Sequence, residues 1–569
     1  MTSVDTCVGV APRRWPPLAG ALAAATCLAG CGGASGTDEP SAASTPSSHW
    51  SAPLSQREAV RLANQATFGA SEALLAGMRA QGARHWVDFQ LTLGTSRYTR
   101  GEGDAIHRHP GPDAYCDSRG PACRRDAEST APLLADFYAN ALEQPDQLRQ
   151  RVAFALQQIV VLSGRELRGT YGFRHFYNGL LDRAFGNYRE VLKLAALSPL
   201  MGDYLTFVNN GPEAPNENFG RELIQLFSLG TCLLEPDGSL RTGHCLPTYT
   251  NEMVRSVAHA LTGWTYPAGG ARHPGCAPAG LNCTYYQGEM VQAPGFHDTR
   301  EHALPGGRSI PAGATGEEAL EAVLDSLMAH PNMGPFIGRR LIQHLVTSNP
   351  TPAYVRRVAQ AFESGRHEAV GTGVRGDLAA TVHALLLDPE ARAEPDPARA
   401  GKLREPALMF TGVLRGLDGR SDGAGLGPER GEALRQHVFR PTSVFGYYRP
   451  GYPVPGTTLE GPEFGIHGEG AAVERLDFLS ALLGDDPTAS AATAVDLTGF
   501  LDTASDPAAL VDRIARLAIG APLPEGPREH VIAAVSAHEP TDASPTWRRA
   551  RVQTAAYLVY AAPQYQVHP

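Results

Sequence analysis

Apolar residues recur every three to four positions along most of this chain, and apolar–polar alternation at period two is almost absent. A chain patterned in this way buries stripes on helices and has little material for a large sheet. The clearest stripe falls in residues 146–160, where Val152, Ala155, Leu156, Ile159 and Val160 follow 3, 4 and 7 spacing. The same reading predicts helices over 56–67, 188–196, 219–229, 252–261, 317–330, 335–346, 353–362, 377–387, 406–417, 472–483, 508–516 and 546–559. The expected fold class is all-α: one large multi-helical domain with long Gly/Pro-rich loops and local disulfides. The loop chemistry concentrates between Thr265 and Gly313, which carries Tyr266, His273, Tyr285, Tyr286, Phe296, His297 and His302.

Residues 1–30 read as an export signal. Arg13 and Arg14 form a short positive region. The apolar run from Leu18 to Ala25 falls far short of the roughly 20 residues that span a bilayer. Leu28-Ala29-Gly30-Cys31 then supplies the narrow side chains a signal peptidase needs. This ending resembles the bacterial lipobox, which implies diacylation of Cys31 and a membrane contact made through lipid alone. Gly32 stands where an Asp would resemble an inner-membrane retention signal, so the outer membrane is the expected address. Residues 31–54, rich in Gly, Ser, Ala, Thr and Pro, are expected to form a flexible tether, and 55–569 the helical domain. Net charge is −10; the first thirty residues contribute +1 through Arg13, Arg14 and Asp5, leaving −11 for the rest. An acidic body without a basic tract argues against nucleic acid as a partner.

Three of the nine cysteines, Cys7, Cys27 and Cys31, belong to the signal and anchor. The other six fall into neighbouring pairs: Cys116 with Cys123, Cys232 with Cys245, and Cys276 with Cys283. Six cysteines allow fifteen pairings. Each neighbouring pair brackets a short Gly- or Pro-bearing loop that closes at little entropic cost, so three local disulfides are expected in an oxidising compartment. Free buried thiols or a metal site are the alternatives, and no Cys-x-x-Cys supports the latter.

Several blocks together resemble the bacterial family known only as domain of unknown function 1800. They include Leu62-Ala63-Asn64-Gln65-Ala66-Thr67-Phe68-Gly69, Leu148-Arg149-Gln150-Arg151-Val152-Ala153-Phe154, Ser198-Pro199-Leu200-Met201-Gly202-Asp203-Tyr204-Leu205 and Asn216-Glu217-Asn218-Phe219-Gly220-Arg221-Glu222-Leu223. Further blocks are Phe296-His297-Asp298, Lys402-Leu403-Arg404-Glu405-Pro406 and Ser443-Val444-Phe445-Gly446-Tyr447-Tyr448-Arg449-Pro450-Gly451-Tyr452. The resemblance covers about Leu54 to His568. It implies an exported, mostly helical protein with no settled activity, often encoded beside a second exported family that looks sulfatase-like. That neighbour is the expected partner, and the family supplies no catalytic residue to carry over. Four positions depart from its usual pattern: Gly220 for Ala, His259 for Arg, Arg300 for Gly and His302 for Lys.

Two blocks carry the sharpest chemistry. On a helix through Phe219, Glu222 sits at the edge of the apolar face formed by Phe219, Leu223, Leu226 and Phe227, while Glu217 and Arg221 stand four apart on the other side. A carboxylate at that margin is partly desolvated and moves toward general-acid range; the alternative is a structural ion pair with an arginine such as Arg151 or Arg404. Asn216 or Asn218 is placed to cap this helix. His297 and Asp298, in a Gly/Pro-rich loop, supply a base or a metal ligand, or else an ordinary loop hydrogen bond. Arg221, Trp264, Arg404 and Tyr448 are the candidate substrate contacts; a salt bridge to a buried acid is the other reading of Arg404, and core packing that of the aromatics.

Two common motifs occur by spelling without their context. Gly419-Arg420-Ser421-Asp422-Gly423 lacks the strand that aims a nucleophilic serine. Gly371-Thr372-Gly373-Val374-Arg375-Gly376 lacks a βαβ unit and reads as a loop opening a helix. No metal or cofactor is expected. The first expectation is therefore a lipid-anchored cell-envelope protein that works with an exported partner. The second is a hydrolase of an extracellular glycan or polymer using Glu217, Glu222, His297 and Asp298; the third is a metal-dependent enzyme centred on His297.

Overall fold

A computed structural model describes residues 52–484, 492–540 and 546–568. The signal, Cys31 and the tether up to residue 51 lie outside the described residues, as does most of the loop over 485–494. The described residues are mostly helical, with all strands only two or three residues long. Among them, no helix is long and apolar enough to cross a membrane.

The helices start where local chemistry lets them. Ser55 and Glu58 make a reciprocal capping box at the Gln56–Ala66 helix, and Thr315 with Glu318 does the same for Gly316–Ala329. Pro406 occupies the first turn of Pro406–Gly416, where its missing N–H has no intrahelical partner to lose. Asp377 accepts from the Ala380 amide to open Leu378–Leu387, and its other oxygen accepts from Thr372, so the Gly371–Gly376 stretch is the loop and helix start its context suggested.

Every helix predicted from periodicity is present to within a few residues at each end. Among the described residues, the four longest helices not predicted are Glu72–Thr92, Ala131–Glu143, Thr170–Arg183 and Glu525–Ser536. Glu72–Thr92 breaks at Gly82 (φ 80°, ψ 161°), so its halves present different faces and no continuous stripe forms. Ala131–Glu143 and Thr170–Arg183 are buried on most sides, which erases the apolar/polar contrast that periodicity needs.

The centre is Gln147–Ile159, buried along nearly its whole length and packed against Met333–Leu345, Thr170–Arg183, Glu72–Thr92 and Gln56–Ala66. Met333–Leu345 pairs with Pro352–Ser364, which packs on Leu378–Leu387. Pro507–Ile519, Glu525–Ser536 and Thr546–Ala561 form a cluster that closes on both Gln56–Ala66 and Glu469–Leu483. Gly69 (φ +131°) lets the end of the Leu62–Gly69 block touch Pro406–Gly416: a Cβ there would lie 2.5 Å from Gly412 Cα.

The strands form three antiparallel pairs: Trp264–Thr265 with Val291–Gln292, His302–Leu304 with Arg308–Ile310, and Lys402–Leu403 with Val567–His568. The long loop after Trp264 is pinned from within, because the hydroxyls of Tyr266 and Tyr286 both donate to the carboxylate of Asp203. The six described cysteines join as the sequence pairs them: Cys116–Cys123, Cys232–Cys245 and Cys276–Cys283, with Cα separations of 5.5, 4.9 and 5.3 Å.

Candidate functional site

Three of the sequence blocks meet at one carboxylate. Glu405 Oε2 accepts from Gln436 Nε2 at 2.6 Å, from the Tyr448 hydroxyl at 3.0 Å and from Gln158 Nε2 at 3.4 Å. Arg151 Nη2 stands 3.9 Å from Glu405 Oε1 and donates to the His344 carbonyl at 2.9 Å. Beside them Lys402 pairs with Glu463, both fully enclosed. Burial pulls the Lys402 ammonium down to about 7 and the His344 imidazole well below its ordinary range. Such a density of enclosed charge is costly unless every member is paired, and Glu405 Oε1, Arg151 Nη1 and both His344 ring nitrogens have no hydrogen-bond partner.

Gln158 also lines a cleft of about 450 Å³ over this network. Its walls come from the end of Gln147–Ile159, from Gln225 and Leu226, from Phe336 and Arg340, and from the Val444–Gly451 stretch that includes Arg449. Among the described residues, no carboxylate lines it. Arg340 and Arg449 make no ion pair among the described residues, although Arg340 is half-buried. The acid whose field reaches Arg340, Glu460, is already held by Arg339 and Gln343, each at 2.9 Å. Arg449 lies 5.7 Å from the exposed Phe445 ring.

A larger concavity of about 920 Å³ differs in electrostatics. It contains His437, whose Nδ1 is 3.0 Å from Glu432 Oε1, but its cations are matched: Arg440 to Glu432 (3.5 Å), Arg125 to Asp126 (2.7 Å) and Arg100 to Asp136 (3.1 Å). Uncompensated positive charge sits in the smaller cleft.

The Glu217–Leu223 block forms the helix Asn218–Ile224, continued by a wider turn over Gln225–Leu229. Asn216 Oδ1 accepts from the Asn218 amide, and Arg221 pairs with Glu217 at 2.9 Å, as four-residue spacing predicts. Glu222 is half-buried, and its Oε2 has no hydrogen-bond partner. Desolvation raises its carboxyl, with Arg221 opposing. The expected alternative of a pair with Arg151 or Arg404 is not what forms: those two guanidiniums point to His344, Glu405, Asn64 and Tyr565 instead. The reason is placement, since Arg151 and Arg404 lie on segments that fold into the interior.

Asp298 belongs to a separate cluster. Its side chain is buried and faces Arg300 (Nε 2.9 Å), His259 Nδ1 (3.0 Å) and His302 Nε2 (3.6 Å). The Arg300 guanidinium, ahead of its other neighbours, holds this carboxyl far below the usual range. Three of the four departing positions, His259, Arg300 and His302, thus surround one carboxylate. His297 turns the other way, its Nδ1 3.1 Å from the Thr262 carbonyl. No hydrogen bond or ion pair joins Glu217 or Glu222 to His297 or Asp298 among the described residues.

The candidate substrate contacts also divide. Arg221 stays on the surface, within 3.4 Å of Asn251. Arg404 is buried, with no acid paired to it among the described residues; it donates to Asn64 Oδ1 (3.1 Å) and the Tyr565 carbonyl (3.2 Å) and stacks over the Tyr565 ring. The crevice that reaches it, about 30 Å³, holds little more than one water. Trp264 and Tyr448 are core residues, the latter committed to Glu405. Ser421 bonds Thr493 at 2.7 Å in a loop, without the strand a nucleophile elbow requires. Arg340 and Arg449 escaped the sequence reading. The signal for Arg340 was there, since no acid stands three or four residues to either side of it.

The family model described as Protein of unknown function (DUF1800) matches residues 61–567. No curated protein and no solved structure matches the chain. Because the match spans nearly every residue of the helical body, the chain belongs to the DUF1800 family.

Proposed function

We propose that this is an exported cell-envelope protein, tethered by lipid on Cys31, that binds an anionic group in the Arg340–Arg449 cleft and works with an exported, sulfatase-like partner. The observation that carries the binding reading is the pair of guanidiniums without carboxylates in a cleft that no acid lines. A half-buried cation in an acidic protein is stabilised most by an anion brought from outside. The signal and lipobox of residues 1–31 support the address, and three neighbouring cysteine pairs suit an oxidising compartment, where they form disulfides. The Gly/Ser/Pro-rich segment after Cys31 suits a tether, and the acidic body gives nucleic acid no foothold. The test is calorimetric titration of the purified chain with sulfate, phosphate and a sulfated polysaccharide. Arg340→Gln and Arg449→Gln are each expected to weaken binding about tenfold or more, one lost charged contact being worth about 1.5–3 kcal/mol. Equal affinity in wild type and both variants sinks the reading.

A second reading, hydrolysis of an extracellular glycan or polymer, is favoured by Glu222. Its half-buried carboxyl, raised by desolvation and lacking a partner on Oε2, suits a general acid. Glu222→Gln abolishing turnover of a polymer that wild type degrades supports it; undiminished turnover removes it.

A further inference from the structure

Outside the lining of the cleft, two imidazoles face each other. His367 Nδ1 and His383 Nδ1 are 2.7 Å apart, and donor atoms of His367, His383 and Glu368 all lie within 4.8 Å of one another. We propose that His367, His383 and Glu368 form a binding site for one divalent transition-metal ion of the zinc type, with water completing the coordination.

The surroundings have the form of a supported metal site. In such sites the outer nitrogen of a ligating histidine meets a carboxylate, which fixes the tautomer and aims the other nitrogen at the ion. Here Asp88 Oδ1 stands 3.1 Å from His383 Nε2, within ion-pair reach but without hydrogen-bond alignment. With the His383 proton on Nε2, toward Asp88, the proton between the rings is the one on His367 Nδ1. Metal entry moves that proton to His367 Nε2 and frees both facing lone pairs, with no net change of charge on the histidines. Glu368 is likewise held from outside, by both nitrogens of the Arg84 guanidinium, one at 2.8 Å. Arg84 and Asp88 are one turn apart on Glu72–Thr92, so one helix face supports two of the three ligands.

The backbone adds a second observation. His367 and Val370 exchange both backbone hydrogen bonds across a two-residue turn, and Glu368 occupies it at φ 53°, a position where glycine is easier. A carboxylate residue kept at a strained position is the pattern of a residue held for its side chain. Two imidazoles and a carboxylate suit zinc and its neighbours in preference to calcium or magnesium, which take oxygen ligands. The ion would clip the Glu72–Thr92 helix, the 367–370 turn and Leu378–Leu387 together.

The test uses the full chain, stripped with a chelator and then titrated with zinc alone against a chromophoric competitor. Wild type is expected to take up one zinc and to melt higher with it. His367→Ala and His383→Ala should lose at least about 100-fold in affinity, and Asp88→Asn about 10–100-fold. His367 is partly exposed, so its variant should keep the helical circular dichroism of wild type and lose only the zinc-induced rise in Tm. No stoichiometric uptake by wild type, or uptake unchanged in both histidine variants, overturns the proposal.

Discussion

Arg151 and Glu405 face each other in the interior, 3.9 Å apart and each at most 1 % exposed, on segments separated by some 250 residues of chain. Removing one partner strands the other's charge in a low-dielectric place. Glu405→Gln is therefore expected to lower unfolding free energy by about 3–5 kcal/mol. A double variant, Arg151→Met with Glu405→Gln, should lose less than the two single variants, Arg151→Met and Glu405→Gln, lose together. Urea unfolding of the two single variants and the double closes the cycle; additive losses would refute the coupling.

Glu222 predicts a pH dependence of the opposite sign to most carboxylates. Its folded pKa is raised, so the folded state holds the proton longer, and the group's contribution is lost as pH rises through that raised value. Glu222→Gln should melt slightly higher than wild type at neutral pH, by well under about 1 kcal/mol because the group still meets water. The gain should vanish toward pH 4, where both states carry a proton. Thermal scans across that range check it.

Asp298 behaves in the usual sense. Its folded carboxyl is depressed by Arg300 and, less strongly, by His302, so it stabilises above the unfolded pKa and that stability drains away as pH falls below about 4. Asp298→Asn is expected to cost about 1–3 kcal/mol at pH 7, with the difference from wild type closing in acid. Chemical unfolding at pH 7 and pH 3 separates the two regimes.

Two glycines should respond in opposite directions. At Gly220 an added methyl would meet Ala258 N at 3.4 Å, ordinary contact, and a helix gains by losing a glycine; Gly220→Ala is expected to stabilise by up to about 1 kcal/mol. At Gly69 the positive φ and the 2.5 Å approach to Gly412 Cα leave a methyl no room. Gly69→Ala should cost more than about 3 kcal/mol or abolish the soluble fold. Melting temperatures of the two variants, measured side by side, decide both.

What could be read from the sequence was whatever is local. The Glu217–Arg221 pair, the raised Glu222 and the loop-and-cap role of Gly371–Asp377 all follow from neighbours within a few residues, and all are present. The helices with one wet face were found. Those buried all round, or bent at Gly82, were not, because their apolar pattern carries no period. The sites were hidden for a different reason. Asp298 meets His259 from 39 positions away, Arg340 and Arg449 share a cleft across more than a hundred, and nothing at such separation leaves a mark in spacing. Arg404 looked like a ligand clamp because its sequence neighbours do not show that the final strand covers it.

That last pairing ties distant segments together. Asn64, Arg404 and Tyr565 meet through direct hydrogen bonds, and the Arg404 amide donates to the Gln566 carbonyl at 2.8 Å. Segments 340 and 161 residues away along the chain thus share one guanidinium, and a change at any of the three loosens the contact of the other two.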